Sequence, residues 1–152
     1  MTYTCELIEQ DPKDVLSIRT HCPVSELPQT LGKAYDAVMA YLAELGEQPG
    51  GAPFVGYFNM DMQNLDIEAG FPVARPLLGK GEIQPGTLPG GKVVSCLYTG
   101  PYSQIEPAYN ALMAWFPAND CQPTGVAYEF YLNDPENTPE AELQTLITMP
   151  VK

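Results

Sequence analysis

Residues 33–42, KAYDAVMAYL, recur as residues 107–116, PAYNALMAWF, at a constant offset of 74 and with five identities in ten positions. At the same offset Gln48-Pro49 falls on Gln122-Pro123, Gly51 on Gly125, and Tyr57 and Asn59 on Tyr131 and Asn133. An offset of 78 then aligns Pro72-Val73 with Pro150-Val151, Ser17 with Ser95 and Pro23 with Pro101. Two four-residue length differences account for both registers. A helix, a Gln-Pro turn, a Tyr-x-Asn strand and a terminal Pro-Val in one order mark an internal duplication, and a duplicated chain must be built from two copies of one supersecondary unit. The copies run over 15–73 and 93–151 within one domain spanning 1–152.

Each copy has the same pattern. The β-branched and aromatic runs 15–20 and 93–99 end at Pro23 and at Gly100-Pro101, as strands feeding a turn do. Leu31, Ala34, Tyr35, Val38, Leu42 and Leu45 then recur at spacings of three and four and stop at Gly46. Ile105, Ala108, Tyr109, Leu112 and Phe116 repeat that helical period and stop at Pro117. The sequence Ser103-x-x-Glu106 predicts a capping box at the start of the second helix, which gives helices over 31–45 and 103–116. Strands over 53–59 and 65–73, and over 126–133 and 143–151, complete the copies. The expected fold is α+β: a strand-helix-strand-strand unit used twice, with antiparallel sheets, pseudo-two-fold symmetry and a central ligand groove.

Charge and composition narrow the function. Acidic residues outnumber basic ones 19 to 7, and the net charge of −12 disfavours direct contact with a phosphate backbone and favours cations. No window approaches the roughly 18 apolar residues of a spanning helix, and the first ten residues do not read as a secretory signal, so the expectation is a cytoplasmic protein. Cys5, Cys22, Cys96 and Cys121 contain no CxxC, and His21 is the single histidine, so neither a metal site nor a cofactor is expected and the thiols read as reduced. Cys22 beside His21 is a poor nucleophile-base pair, because adjacent strand residues point to opposite faces.

Strand alternation locates a candidate site. In the second copy Tyr128, Phe130 and Leu132 share one face and Glu129, Tyr131 and Asn133 the other. In the first, Phe54, Gly56 and Phe58 oppose Val55, Tyr57 and Asn59. With the apolar set assigned to the helix, a pseudo-two-fold axis would gather Val55, Tyr57, Glu129 and Tyr131 on a concave surface. A carboxylate among tyrosine rings suits an organic cation, since each ring adds roughly 0.5–2 kcal/mol of cation–π attraction. Tyr98 and Tyr102 flank the Gly100-Pro101 turn, and Trp115 lies on the second helix; each is a candidate groove wall. Met60 and Met62, around the loop 61–66, are adaptable apolar side chains beside the Tyr57 strand. Asp134, Glu136, Glu140 and Glu142 read as a solvated charge run.

With these residues in view, the chain resembles the GyrI-like small-molecule-binding family, also described as the bacterial transcription activator effector-binding domain. The resemblance rests on Gly46-x-x-Pro49, Gly51-x-Pro53-Phe54-x-x-Tyr57, Leu88-Pro89-Gly90-Gly91, Gly100-Pro101-Tyr102, Tyr109, Trp115 and Glu129-x-Tyr131. It implies the duplicated fold with its groove, and it puts Glu129 where drug-sensing members contact cationic ligands. The residue before Gly100, often histidine in the family, is Thr99 here, so no role of that imidazole carries over.

Three functions follow from the resemblance and stay open at this point. One is multidrug binding, of small amphipathic cationic or aromatic molecules, by a stand-alone protein that either sequesters drugs or senses effectors as the partner of a separate transcription regulator. The second is hydrolysis of cyclopropane-containing genotoxins, with Glu129 activating water and Tyr57 donating to the developing phenolate. The third is a protein-binding module acting on DNA gyrase.

Overall fold

The computed structural model describes residues 3–152 and separates into two compact units, one of residues 12–89 and the other of residues up to 11 together with 90–152. The first unit holds β2 (Lys13–Cys22), α1 (Leu27–Glu44), β3 (Phe54–Tyr57), β4 (Leu65–Pro72) and β5 (Gln84–Leu88). The second holds β1 (Cys5–Gln10), β6 (Gly91–Thr99), α2 (Glu106–Ala118), β7 (Ala127–Tyr131) and β8 (Gln144–Pro150). Within the first unit the antiparallel order is β5-β2-β4-β3, and within the second it is β1-β6-β8-β7. The strand-helix-strand-strand pattern expected from the repeat is present in both.

Each unit also carries a fourth strand that the sequence reading missed. β1 and β5 are edge strands, and each lies in sequence next to the core of the opposite unit. Only Asp11 and Pro12 separate β1 from β2, yet β1 pairs with β6, Cys5 opposite Cys96. Likewise β5 runs almost directly into β6 but pairs with β2, Ser17 opposite Gln84. Their sequences hide them. Glu6 and Glu9 interrupt β1 and Pro85 and Gly86 interrupt β5, compositions that edge positions tolerate because one side of the strand makes no ladder hydrogen bonds.

The helices begin and end differently from expectation. Neither carries a side-chain cap, so the Ser103/Glu106 capping box is not formed. Tyr102–Gln104 is instead a 3-10 turn, and Pro107 occupies the first turn of α2, where a missing N–H costs nothing. At the far ends, Gly46 and Asp120 occupy corresponding positions in left-handed conformation, with φ of 71° and 59°. The next amide in each copy reaches back to close the helix, Glu47 N–H to Leu42 O and Cys121 N–H to Phe116 O, both at 2.9 Å. α2 therefore runs one residue past Pro117.

Each helix lies on one face of its own sheet. In the second unit Ala108, Leu112 and Phe116 of α2 pack with Val94, Cys96, Tyr98, Ala127, Ile147 and Met149. In the first, Val38, Tyr41 and Leu42 of α1 pack with Leu16, Phe71, Val73 and Ile83. All four cysteines are free thiols. Cys5 and Cys96 face each other across β1 and β6, and burial pushes the Cys96 thiol up to about 11. Among the described residues no helix is long and apolar enough to cross a membrane, and no three His, Cys, Asp or Glu side chains are grouped to hold a metal ion.

Candidate functional site

The helix-facing side of β7 carries Ala127, Glu129 and Tyr131, which reverses the assignment made from hydrophobic alternation. Glu129 is opposite Ile147, and both Ile147 and Ala127 belong to the core packed under α2. The same reversal holds in the first unit, where Val55 and Tyr57 are opposite Ala69 and Ile67, on the side of β4 that carries Phe71 beneath α1. Phe130 and Phe58 consequently point away from their helices, and Arg19 lies 3.8 Å over the Phe58 ring on that far side. The physical reason is that both faces are buried. Phe54, Val93, Ser95, Tyr128 and Thr148 are buried on the sides turned away from the helices, so burial alone does not mark which face a helix covers.

Glu129 is only 8% exposed, and its two oxygens are held separately. Tyr131, two residues along the same strand face, donates its hydroxyl to Oε1 at 2.9 Å. Tyr109, on α2, donates its hydroxyl to Oε2. Burial raises the carboxyl above its ordinary value of 4.5, and the two phenolic hydrogen bonds oppose that shift without cancelling it. Among the described residues no ion pair reaches Glu129; the acid–base pairs within 4 Å join Arg19 and His21 to Asp66, Arg75 to Glu47, and Lys80 to Glu44. Both hydrogen-bond donors to this buried carboxyl are neutral phenols.

Tyr102 completes this cluster. Its ring lies 5.3 Å from that of Tyr131 at 56°, it remains 37% exposed, and its phenol is pushed up by burial, by Glu129 and by Asp134. Thus Glu129, Tyr131 and Tyr102, all singled out from the sequence, lie in one side-chain cluster of the second unit. Tyr109 was read there as an apolar-face helix residue. Its role becomes apparent once Glu129 is placed beneath α2.

The other expected residues have different surroundings. Tyr98 is buried in the core, with its hydroxyl donating to Pro101 O at 2.6 Å. Trp115 packs against the same core with its ring edge-on to Phe116 at 5.6 Å. Val55 and Tyr57 stand on β3 of the first unit, Val55 fully buried. Met60 and Met62 are exposed. In the stretch of Asp134, Glu136, Glu140 and Glu142, Asp134 accepts from the Glu136 amide and the Asn137 side chain, a local turn.

The fold has clear counterparts among solved structures. The crystal structure of the EcmrR C-terminal domain matches with a TM-score of 0.82 at 23% identity, covering 100% of this chain and 99% of that one. EcmrR in a cryo-EM complex with DNA matches with a TM-score of 0.86 at 24% identity, and there this chain spans 57% of the other's length. SAV2435 bound to tetraphenylphosphonium matches with a TM-score of 0.67 at 12% identity, covering 100% of this chain and 94% of that one. At these identities the likeness is one of fold. No curated protein matches the chain. The GyrI-like small molecule binding domain, by contrast, is matched over residues 3–152, and with the duplicated α+β units this places the chain in the GyrI-like family of small-molecule-binding domains.

Proposed function

We propose that the unit carrying Glu129 binds lipophilic organic cations, in an effector-sensing or drug-sequestering role. The observation that carries this reading is the Glu129 carboxylate, buried, held by two phenols and without a cationic partner. Tyr109 and Tyr131 orient the carboxylate, and the Tyr102 and Tyr131 rings offer π faces to a delocalised charge. A large, weakly hydrated cation loses little hydration on entering such a site and gains charge pairing in low dielectric. The likeness to a structure holding tetraphenylphosphonium supports the same ligand class. The likeness to a DNA-bound regulator supports a part in transcription control, with DNA contact belonging to a segment or protein other than this domain.

Calorimetric titration tests the reading. Glu129→Gln preserves shape and removes charge, so affinity for tetraphenylphosphonium should fall 10- to 100-fold, about 1.4–2.8 kcal/mol, while neutral triphenylphosphine oxide is barely affected. Equal losses for the two compounds would overturn it. The same raised carboxyl beside phenolic donors is equipped for acid-base work. Turnover of a cyclopropane-bearing compound by the parent protein, abolished by Glu129→Gln with binding retained, would make the site hydrolytic instead.

A further inference from the structure

Thr145 has none of its surface exposed, and its Oγ1 is the one buried side-chain polar atom among the described residues without a hydrogen-bond partner. Strand register places it between Tyr98 of β6 and Tyr131 of β7. It shares the helix-facing side of β8 with Ile147, which is opposite Glu129, so Thr145 and Glu129 are diagonal neighbours with Cβ atoms on the order of 7 Å apart. A hydroxyl offers one donor and two acceptor positions, and leaving all of them unused in the interior carries the full desolvation cost of the group.

The fold does not require a hydroxyl there. In the other copy the corresponding residue, 78 positions earlier, is Ile67, equally buried and opposite Tyr57 as Thr145 is opposite Tyr131. Val55 likewise stands where Glu129 does, 74 positions earlier. The tyrosines are kept in both copies, Tyr35 with Tyr109 and Tyr57 with Tyr131, whereas the carboxylate and the hydroxyl occur together in one copy and give way together to aliphatic side chains in the other. In the aliphatic copy Tyr35 donates to Phe54 O instead, at 2.9 Å.

We infer that the Thr145 hydroxyl is a second polar contact of the ligand site, reading a hydrogen-bonding group that the cation carries beside its charge. The inference rests on the reading of Glu129 as a cation receptor and narrows its ligand class. The preferred ligands are amphipathic organic cations bearing a hydroxyl, carbonyl or N–H group, set so that Glu129 meets the charge while Thr145 meets the substituent. Tyr102, partly exposed and tilted against the Tyr131 ring, is the solvent-facing member of this cluster.

Thr145→Val keeps the branched shape and removes the hydroxyl; Thr145→Ser keeps the hydroxyl and removes the methyl. The probes are tetraphenylphosphonium and its analogue with one ring replaced by 3-hydroxyphenyl. The parent should bind the hydroxylated probe more tightly than the plain one. Thr145→Val should lose about five- to tenfold for the hydroxylated probe alone and melt, ligand-free, at or above the parent temperature, while Thr145→Ser keeps the preference. An unchanged ratio of the two affinities in Thr145→Val, or equal weakening of both, overturns the inference and leaves a hydroxyl satisfied by water. If Glu129→Gln fails to weaken tetraphenylphosphonium, it is the cation reading that falls; if Glu129→Gln weakens it and Thr145→Val does not discriminate, only the second contact falls.

Discussion

At Glu129 the local environment works against the charge that the proposed ligand needs. Because burial raises the carboxyl, the folded protein holds its proton more tightly than the unfolded chain does. The stability this confers is present in full below the ordinary value of 4.5 and is lost as pH rises through the shifted value, where the buried group must ionise. A bound cation favours the ionised form, so binding expels a proton wherever Glu129 was protonated. Affinity for tetraphenylphosphonium should therefore climb with pH through the shifted value and level off above it, and in Glu129→Gln it should be flat. Titration from the ordinary value of 4.5 upward through the range in which the protein stays folded, in two buffers of different ionisation enthalpy, measures both affinity and proton release; an affinity independent of pH in the parent removes the linkage. Tyr102, whose phenol is also pushed up, stays neutral throughout.

Packing between elements sets tighter limits than the helical and strand periods suggest. A Cβ on Gly70 of β4 would lie 2.0 Å from Leu16 O and 2.7 Å from Ser17 Cα of β2, against backbone that has no room to shift. Gly70→Ala should cost at least about 2 kcal/mol, lowering the thermal midpoint by roughly 4–8 °C in scanning calorimetry. Gly32, within α1 and with nothing near its Cβ position, gives the opposite result: Gly32→Ala should raise stability by about 0.5–1 kcal/mol. If the two alanines behave alike, the close approach of β4 to β2 is wrong.

The same scale explains what could be read from the sequence. The repeat made both helices and their three attendant strands legible, because matched registers in two copies carry more information than either period alone. Tyr102 was marked only by its place beside the Gly100-Pro101 turn, whereas Glu129 and Tyr131 were legible together from strand alternation matched in two copies. The face they occupy was not: Phe130 and Tyr128 look like a helix-facing pair, but Ala127 and Ile147 are what lie under α2, and both sides of the sheet are buried. Thr145 was silent for a related reason. A threonine in a strand is ordinary, and only its missing partner and the isoleucine at the matching position in the other copy set it apart.

For the whole molecule, duplication followed by divergence separates architecture from chemistry. Helix closures at Gly46 and Asp120 and the sheet order are common to both units and serve the fold, while the tyrosine pairs are a shared framework that only one unit turns on a carboxylate. Glu129 and Thr145 belong to one unit and bear the proposed recognition. A net charge of −12 adds a diffuse attraction for cations around this local site, which salt screens beyond a Debye length of about 8–10 Å.

The exchange of edge strands has a consequence for the order in which the chain can become native. A ribosome releases β1 first, but its partner β6 emerges some 80 residues later, so β1 has to wait unpaired while the intervening unit is made. That intervening unit acquires its own last strand, β5, just before β6 appears, and so can close without help from the first residues. Removing residues 1–10 should thus leave the nearer unit intact and weaken the farther one. The single tryptophan, Trp115, reports on the farther unit, so its fluorescence should show a lower denaturant midpoint in the truncated chain. An unchanged midpoint would mean that β1 is dispensable. An amino-terminal nick would thus be felt in residues 90–152, distant along the chain but part of the same unit as β1.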